Sequence, residues 1–493
     1  MTIPPGGAPP LENPLFKEIL AAVPPFTRTL NADELQAAEW RLDRGMPGIV
    51  RREAGRSSGG DPLHVLTAGN GSRQAVVLAL LRADEPAGAM SLLSLAQFLA
   101  ADDRLNAALD FTFHIVAVSD PDGAQLNQAR TGTADTLLNR SHRFFRRAAD
   151  EEVARTFPIR HRGWNFDQPP PETRALMTLI KETKPELICT VHADVLTGVR
   201  FHLSEHAVGL APILQQTARA QGLPLHPGDR LSPWGYGGDG GTEVPEAGSG
   251  VYNLLSGPSL YDRLAADAGT GGAAGSGLGA DPATGLEDFF GHGGSVFDFA
   301  RSIDPGVMAV TITAPLFLAA EMRDDSPSQR SWGSLVRDRV EMAETFYDLA
   351  GQATADTMSE PSPANPFARA LLYFIEAGRR DTALRRRTAK VHPAAGEYAT
   401  KAQTVSQLYT PQAEQLAVLG LLRRCLLWER ELAEPVSPEA QAIDQGLEGI
   451  EKEMKRWGRE LQADVRCRPA AVQNIVRVHL GGILYAAAFC ATR

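Results

Sequence analysis

The feature that most constrains this chain is an alternation of two patterns. From about residue 61 to 315, short β-rich runs change places with segments of helical spacing. Such alternation calls for a mixed sheet with helices over its faces, because each helix must bury its apolar stripe against the strands. The strand candidates are "HVLTAG" (64–69), "AVVLALL" (75–81), "LDFTFHIVAVSDPDG" (109–123, ending in a polar turn), "ELICTVHAD" (186–194) and "GVMAVTITAP" (306–315). The "NGSRQ" between the first two reads as a hairpin turn. "PETRALMTLIKETKP" (171–185) reads as a helix leading into the fourth strand.

Composition narrows the classes. At 493 residues the chain exceeds one ordinary core, and typical domain sizes give roughly two to four units. With 43% hydrophobic and 22% charged residues it can bury a large core. A net charge of −10 opposes general nucleic-acid binding, which needs basic surface to replace phosphate counterions. Cys189, Cys425, Cys467 and Cys490 are scattered, without a CxxC pair, and suit reduced thiols in a cytoplasm. The opening "MTIPPGGAPPLENPLF" has no basic start or apolar core, so no signal peptide is expected there. No apolar run nears the ~18 residues of a membrane span, and "LGGILYAAAFCA" (480–491) is expected to be a buried helix.

Residues 256–294 hold a Gly/Ala-rich passage, "AGTGGAAGSGLGA" among them, which reads as a loop, either a lid or a plain insertion. After "SEPSPANP" (359–366) apolar residues recur at helical spacing with charges between them. That region is expected to be helical, packed on the sheet, and available as a surface for a protein partner.

Several words along the chain resemble the zinc carboxypeptidases of the carboxypeptidase A type. "RADEPAGAMSLLSLAQFLA" is similar to the family's His-x-x-Glu stretch, often "HGxEPAG", and the helix after it. "VSDPDG" is similar to its Asn-Pro-Asp-Gly turn, "PPPETRALMTLI" to its Pro-Glu-Thr helix start, and "LICTVHAD" to the strand that ends in a further histidine ligand. The resemblance implies an α/β fold: a carboxypeptidase-like mixed sheet covered by helices, followed by a mostly helical C-terminal domain. Its implied domains are an N-terminal extension (1–60), a zinc-carboxypeptidase-like domain (61–360) and the helical domain (361–493).

The same resemblance assigns the site and its gaps. Glu85 and His192 stand where two zinc ligands stand in the family, as remnant metal ligands. Arg82 takes the place of the first histidine, and in "VTITAPLF" Thr313 takes the place of the catalytic glutamate. A catalytic zinc needs three protein ligands and an open position. Arginine has no lone pair to give and stays charged, and threonine does not take a proton from water as a carboxylate does. Arg82 therefore reads as a built-in cation where zinc would be, pairing with Glu85; the alternative is an arginine pointing to solvent beside an empty cleft.

Two functional readings follow. One is a pseudo-peptidase without zinc or other cofactor, keeping a cleft for a peptide or amino-acid-like ligand, with neither nucleic acid nor membrane as partner. The other is an active zinc metallocarboxypeptidase or related amidohydrolase that recruits His292 or His202 as ligand and Glu321 as base. In the basic stretch "NRSHRFFRRAADEEVARTFPIRHR" (139–162), Arg140 and Arg143, with Arg146 and Arg147 beside them, are candidates to bind a substrate carboxylate, against the plainer reading of a solvated face. His64 and His114 lie in β-rich runs and read as packed, hydrogen-bonded histidines. His206 and Asp194 are neighbours of the site in sequence, the aspartate also being an ordinary turn residue.

Overall fold

The computed structural model describes residues 13–127, 136–162, 164–229, 250–254, 292–358, 361–391 and 393–493. Eight strands form one sheet: β1 (Val50–Arg56), β2 (Pro62–Ala68), β3 (Arg73–Leu78), β4 (Phe111–Val116), β5 (Leu187–Asp194), β6 (Arg200–Leu203), β7 (Val251–Asn253) and β8 (Met308–Pro315), in the order β1-β2-β4-β3-β5-β8-β6-β7. The central strands β4, β3, β5 and β8 run parallel. β1–β2, β2–β4 and β8–β6 pair antiparallel. β5 is buried along its length, with only Asp194 at its end slightly exposed, its side chain at 15%, which is why its sequence is a near-continuous apolar run.

Among the described residues the helices of eight residues or more are α1 (Pro14–Ala21), α2 (Ala32–Gly45), α3 (Pro86–Ala101), α4 (Pro171–Thr183), α5 (Ala211–Ala220), α6 (Val296–Ile303), α7 (Trp332–Thr357), α8 (Ala368–Val391), α9 (Thr410–Leu432), α10 (Pro438–Val465) and α11 (Val472–Ala491). Alternation along each strand sorts them into layers. Ala75 and Val77 face the core shared with α3, α5 and α11, whereas Val76 and Leu78 face the core shared with α4 and α6. α3 is apolar nearly all round because it lies between the sheet and α11. α11 is long and apolar enough to cross a membrane, yet it is mostly buried inside this core.

Sequence expectations meet three differences here. "NGSRQ" does not close a hairpin: β4 lies between β2 and β3 and pairs with both. The loop is instead fixed to the start of β4, where Ser72 donates backbone N–H and hydroxyl to the Asp110 carboxylate, and a Cβ at Gly71 would overlap Asp110 backbone. The sheet begins at β1, inside the stretch set aside as an N-terminal extension. The C-terminal helices divide between two cores: α7 to α10 form one with Phe346, Leu371, Leu416 and Met454, while α11 returns to the sheet. The Gly/Ala-rich passage falls, but for residues 292–294, outside the described residues.

The α7–α10 core includes Ala83, Val195, Leu196 and Phe317, all just beyond strand ends. The bundle thus covers the carboxyl end of the sheet, where open α/β sheets place their sites. Polar ties hold it there. Thr410 donates to the Leu196 carbonyl at 2.9 Å, and Arg424 donates to the carbonyls of Arg143 and Leu126, both at 2.6 Å.

Candidate active site

Between β3 and α3 the chain must turn sharply, and Leu80 adopts a left-handed φ of +47° to do so, a conformation that costs a non-glycine residue energy. Pro86 then opens α3, its missing N–H being no loss at a first helical turn. Gly88 allows the close approach: a Cβ there would lie 3.1 Å from the Val191 carbonyl of β5. The result places Glu85 against the end of β5 with 0% of its side chain exposed.

There His192 Nδ1 lies 2.8 Å from Glu85 Oε2. A carboxylate accepts, so Nδ1 carries the proton and donates it. Thr313 of β8 is in register with His192 on one side and with Arg200 of β6 on the other. The strand end is braced from behind: His479 of α11, fully buried, sits 3.0 Å from the His192 carbonyl through Nε2 and 2.9 Å from Ser91 Oγ through Nδ1. Burial pushes the His479 pKa down to about 3. The neutral ring therefore donates Nε2–H to the carbonyl and accepts from Ser91 at Nδ1.

Arg82, 22% exposed, is the hub of the charges at this point. Its Nη1 is 3.5 Å from Glu85 Oε1 and 3.8 Å from Asp194 Oδ1, and its Nε is 3.4 Å from Glu152 Oε1. Burial alone lowers the pKa of this guanidinium, but Glu152, Glu85 and Asp194 outweigh it and hold it above its ordinary value. Asp194 is also paired with Arg200. Burial raises its carboxyl, and Arg200 and Arg82 more than reverse that, holding it well below the usual range. Asp84 accepts from Arg140 at 2.5 Å and from Arg146 at 3.0 Å. Burial raises this carboxyl too, and Arg146 and Arg140 bring it down. Four carboxylates thus meet four guanidinium groups in one network.

Arg82, Glu85, His192 and Thr313 are therefore brought together. Arg140 belongs to the same network through Asp84, while Arg143 lies beside Arg140 on the wall of a small cavity under residues 29–35. Arg147 forms a bidentate pair with Asp120, both bonds 2.9 Å, away from Arg82. His202 stacks on Tyr252 with ring centroids 5.4 Å apart, and His292 meets Tyr373 edge-on at 5.7 Å. Glu321 lies in the turn Ala320–Arg323. His64 contacts Arg51 and Glu39, and His114 contacts Gln74. His206 lies in the short turn Glu205–Leu210. Among the described residues, no three of His, Cys, Asp and Glu gather as a metal-binding group. Glu152 and Arg200 escaped the sequence reading, because nothing in local spacing links residues 82, 152 and 200.

Residues 40–197 match the family model described as zinc carboxypeptidase. No protein of curated function matches the chain. Among solved structures it is similar to a metallo-carboxypeptidase from Burkholderia cenocepacia (18% identity over 57% of this chain and 60% of that one, TM-score 0.30). It is also similar to carboxypeptidase A from Helicoverpa armigera (14%, 76% and 80%, 0.33) and to bovine thrombin-activatable fibrinolysis inhibitor (12%, 58% and 86%, 0.32). The chain thus spans about 60% of the length of the Burkholderia protein.

Proposed function

We propose, on the premise that residues 40–197 carry a zinc-carboxypeptidase-like segment, that this chain is a pseudo-peptidase: it keeps a cleft for a peptide or amino-acid-like ligand and has given up zinc-dependent hydrolysis. The observation that carries this reading is the occupation of Glu85. One of its oxygens takes the His192 proton at 2.8 Å, and the other, which has no hydrogen bond, faces Arg82 Nη1 at 3.5 Å.

A zinc ion does not fit this donor set. Three protein ligands and an open position are the rule for a catalytic site, and here two candidate donors are bonded to each other beside a third position that holds a permanent cation. The guanidinium has no lone pair and would repel the metal. Thr313 adds a hydroxyl that stays protonated at neutral pH, so general-base activation of water finds no acceptor at that position. What the residues do instead is hold one another: Arg82 compensates a carboxylate whose burial would otherwise cost several kcal/mol.

The test compares wild type, Arg82→His, Thr313→Glu and the double variant for release of C-terminal amino acids from a peptide mixture with zinc supplied. The wild type and both single variants should be inactive or nearly so, because a missing general base typically costs 10²–10⁴-fold and a missing ligand costs the metal. Only the double variant should turn over. Robust zinc-dependent release by the wild type would overturn the proposal and favour an active enzyme with a relocated ligand and base.

A further inference from the structure

On the surface of the helical bundle, α7, α9 and α10 leave a groove of 460 Å³ between them. Its floor is apolar. Leu416 and Leu461 lie at the bottom, 0% and 3% exposed, and the half-buried Met342 and Trp457 stand above them. The indole is fixed against Phe346 of α7, with ring centroids 5.3 Å apart, and its remaining surface borders the groove. Large apolar surface left open in this way marks interaction sites more often than a plain solvated face does.

The walls are acidic. Asp338 and Glu341 of α7 stand on one side, and Glu460 and Asp464 of α10 on the other. Arg456 is the one cation among the described residues that line the groove, and it is already shared between Glu453 at 2.5 Å and Glu460 at 3.1 Å. Asp338 is paired with Arg330. The carboxylates of Glu341 and Asp464 make no hydrogen bond or ion pair with the described residues. Gln412, on α9, spends its amide donor on the Met342 sulfur at 3.1 Å, a weak acceptor, and its own carbonyl oxygen accepts from no described residue. The free polar atoms on both walls are therefore acceptors, and most of them are charged.

We infer that this groove is the docking site for a basic amphipathic helix of a partner protein, one that sets leucine-like side chains on Met342 and Trp457 and lysine or arginine side chains against Glu341, Glu460 and Asp464. Length fits this occupant: at 1.5 Å per residue, the wall from Asp338 to Thr345 and the wall from Arg456 to Asp464 each run about 10–12 Å, two turns of a helix. Recognition of a helix in such a groove reads anchors three and four residues apart. Charge selects its sign. An acidic helix would meet like charge on both walls, and a wholly apolar one would strip water from carboxylates without compensating them. Lysine and arginine do both tasks, because their stems cover apolar surface while their heads reach the walls. The indole already lies near one guanidinium, that of Arg456 at 5.9 Å from the ring centroid, a contact that further cations can make with a tryptophan face. The groove shares no residue with the Arg82 network, so the inference holds or fails independently of the pseudo-peptidase reading.

Three peptides of one length test it: acetyl-Arg-Lys-Leu-Ala-Arg-Lys-Leu-Ala-amide, the same peptide with glutamine at every basic position, and the same with glutamate there. Fluorescence anisotropy of labelled peptides is read against the full chain at about 0.15 M salt, where attraction from charges beyond about 8 Å is largely screened. The basic peptide should bind saturably, with the glutamine and glutamate peptides at least tenfold weaker. Glu341→Gln combined with Asp464→Asn should weaken the basic peptide at least tenfold and leave the melting temperature equal or higher, since both residues are exposed and unpaired. Glu431→Gln combined with Glu448→Gln removes the same charge from exposed positions two or more helical turns along α9 and α10 from the groove, and should leave binding unchanged. Failure of the basic peptide to bind, equal binding of the glutamine peptide, or an equal loss in the Glu431 and Glu448 double variant would overturn the assignment.

Discussion

Arg82 touches three carboxylates, so the loss of its charge has a definite cost. Removing one partner of a buried ion pair typically destabilises by roughly 3–5 kcal/mol, because the charge left behind has no water to fall back on. Arg82→Met keeps the apolar stem and should lower unfolding stability by about that much, read from denaturant midpoints; an unchanged midpoint would mean that the guanidinium is not what compensates Glu85. A second residue sets a pH dependence. His226 Nδ1 accepts both the Gly228 N–H at 3.1 Å and the Tyr252 hydroxyl at 2.5 Å, and burial pushes its pKa down to about 3. The unfolded ring titrates near 6.5, so between about pH 6.5 and 3 the unfolded chain holds the extra proton and stability is lost as pH falls. His226→Asn, which retains an acceptor and cannot be protonated there, should flatten the decline in melting temperature between pH 7 and 5; an equally steep decline would exclude His226 as a source. Arg82, Glu85, His192 and Thr313 were legible in the sequence because each stands in a short word of the chain. Glu152 and Arg200 were not, because their roles arise from segments that only tertiary packing brings near.

At the scale of elements, the strands were legible from their apolar runs, since burial on both faces leaves little room for polar residues. Pairing was less legible. The turn-like "NGSRQ" invited a hairpin, and the contest was decided by the carboxylate of Asp110, which holds Ser72 at the head of β4. The docking of α9 was equally hidden, although it depends on one glycine. A Cβ at Gly420 would collide with the Ser141 carbonyl, so the helix lies directly on the short helix Leu137–Ser141. Helix propensity alone favours Gly420→Ala by about 1 kcal/mol, while forced overpacking typically costs about 1–3 kcal/mol. Overlap with backbone, which cannot swing aside as a side chain can, puts the cost toward the upper end. Gly420→Ala should therefore lower the melting temperature, and a rise would show that the helix does not seat there.

For the whole molecule, the chain's last helix closes the core that its first strands open. α11 supplies Ile475, Val478, Ile483 and Leu484 to the sheet, so a chain ending at Val465 exposes that face and should lose cooperative melting; native-like melting of such a chain would contradict the shared core. The bundle α7–α10, in turn, lies over the strand ends and covers the charged network. Both arrangements bear on the central claim, that Arg82 occupies the position of a metal and makes the cleft a binding site rather than a hydrolytic one. Zinc titration of wild type and Arg82→His by calorimetry, with Glu85→Gln introduced into each to identify the site, tests it most directly. The account expects no Glu85-dependent zinc binding by the wild type and one Glu85-dependent equivalent by Arg82→His. One tightly bound, Glu85-dependent zinc in the wild type would contradict it.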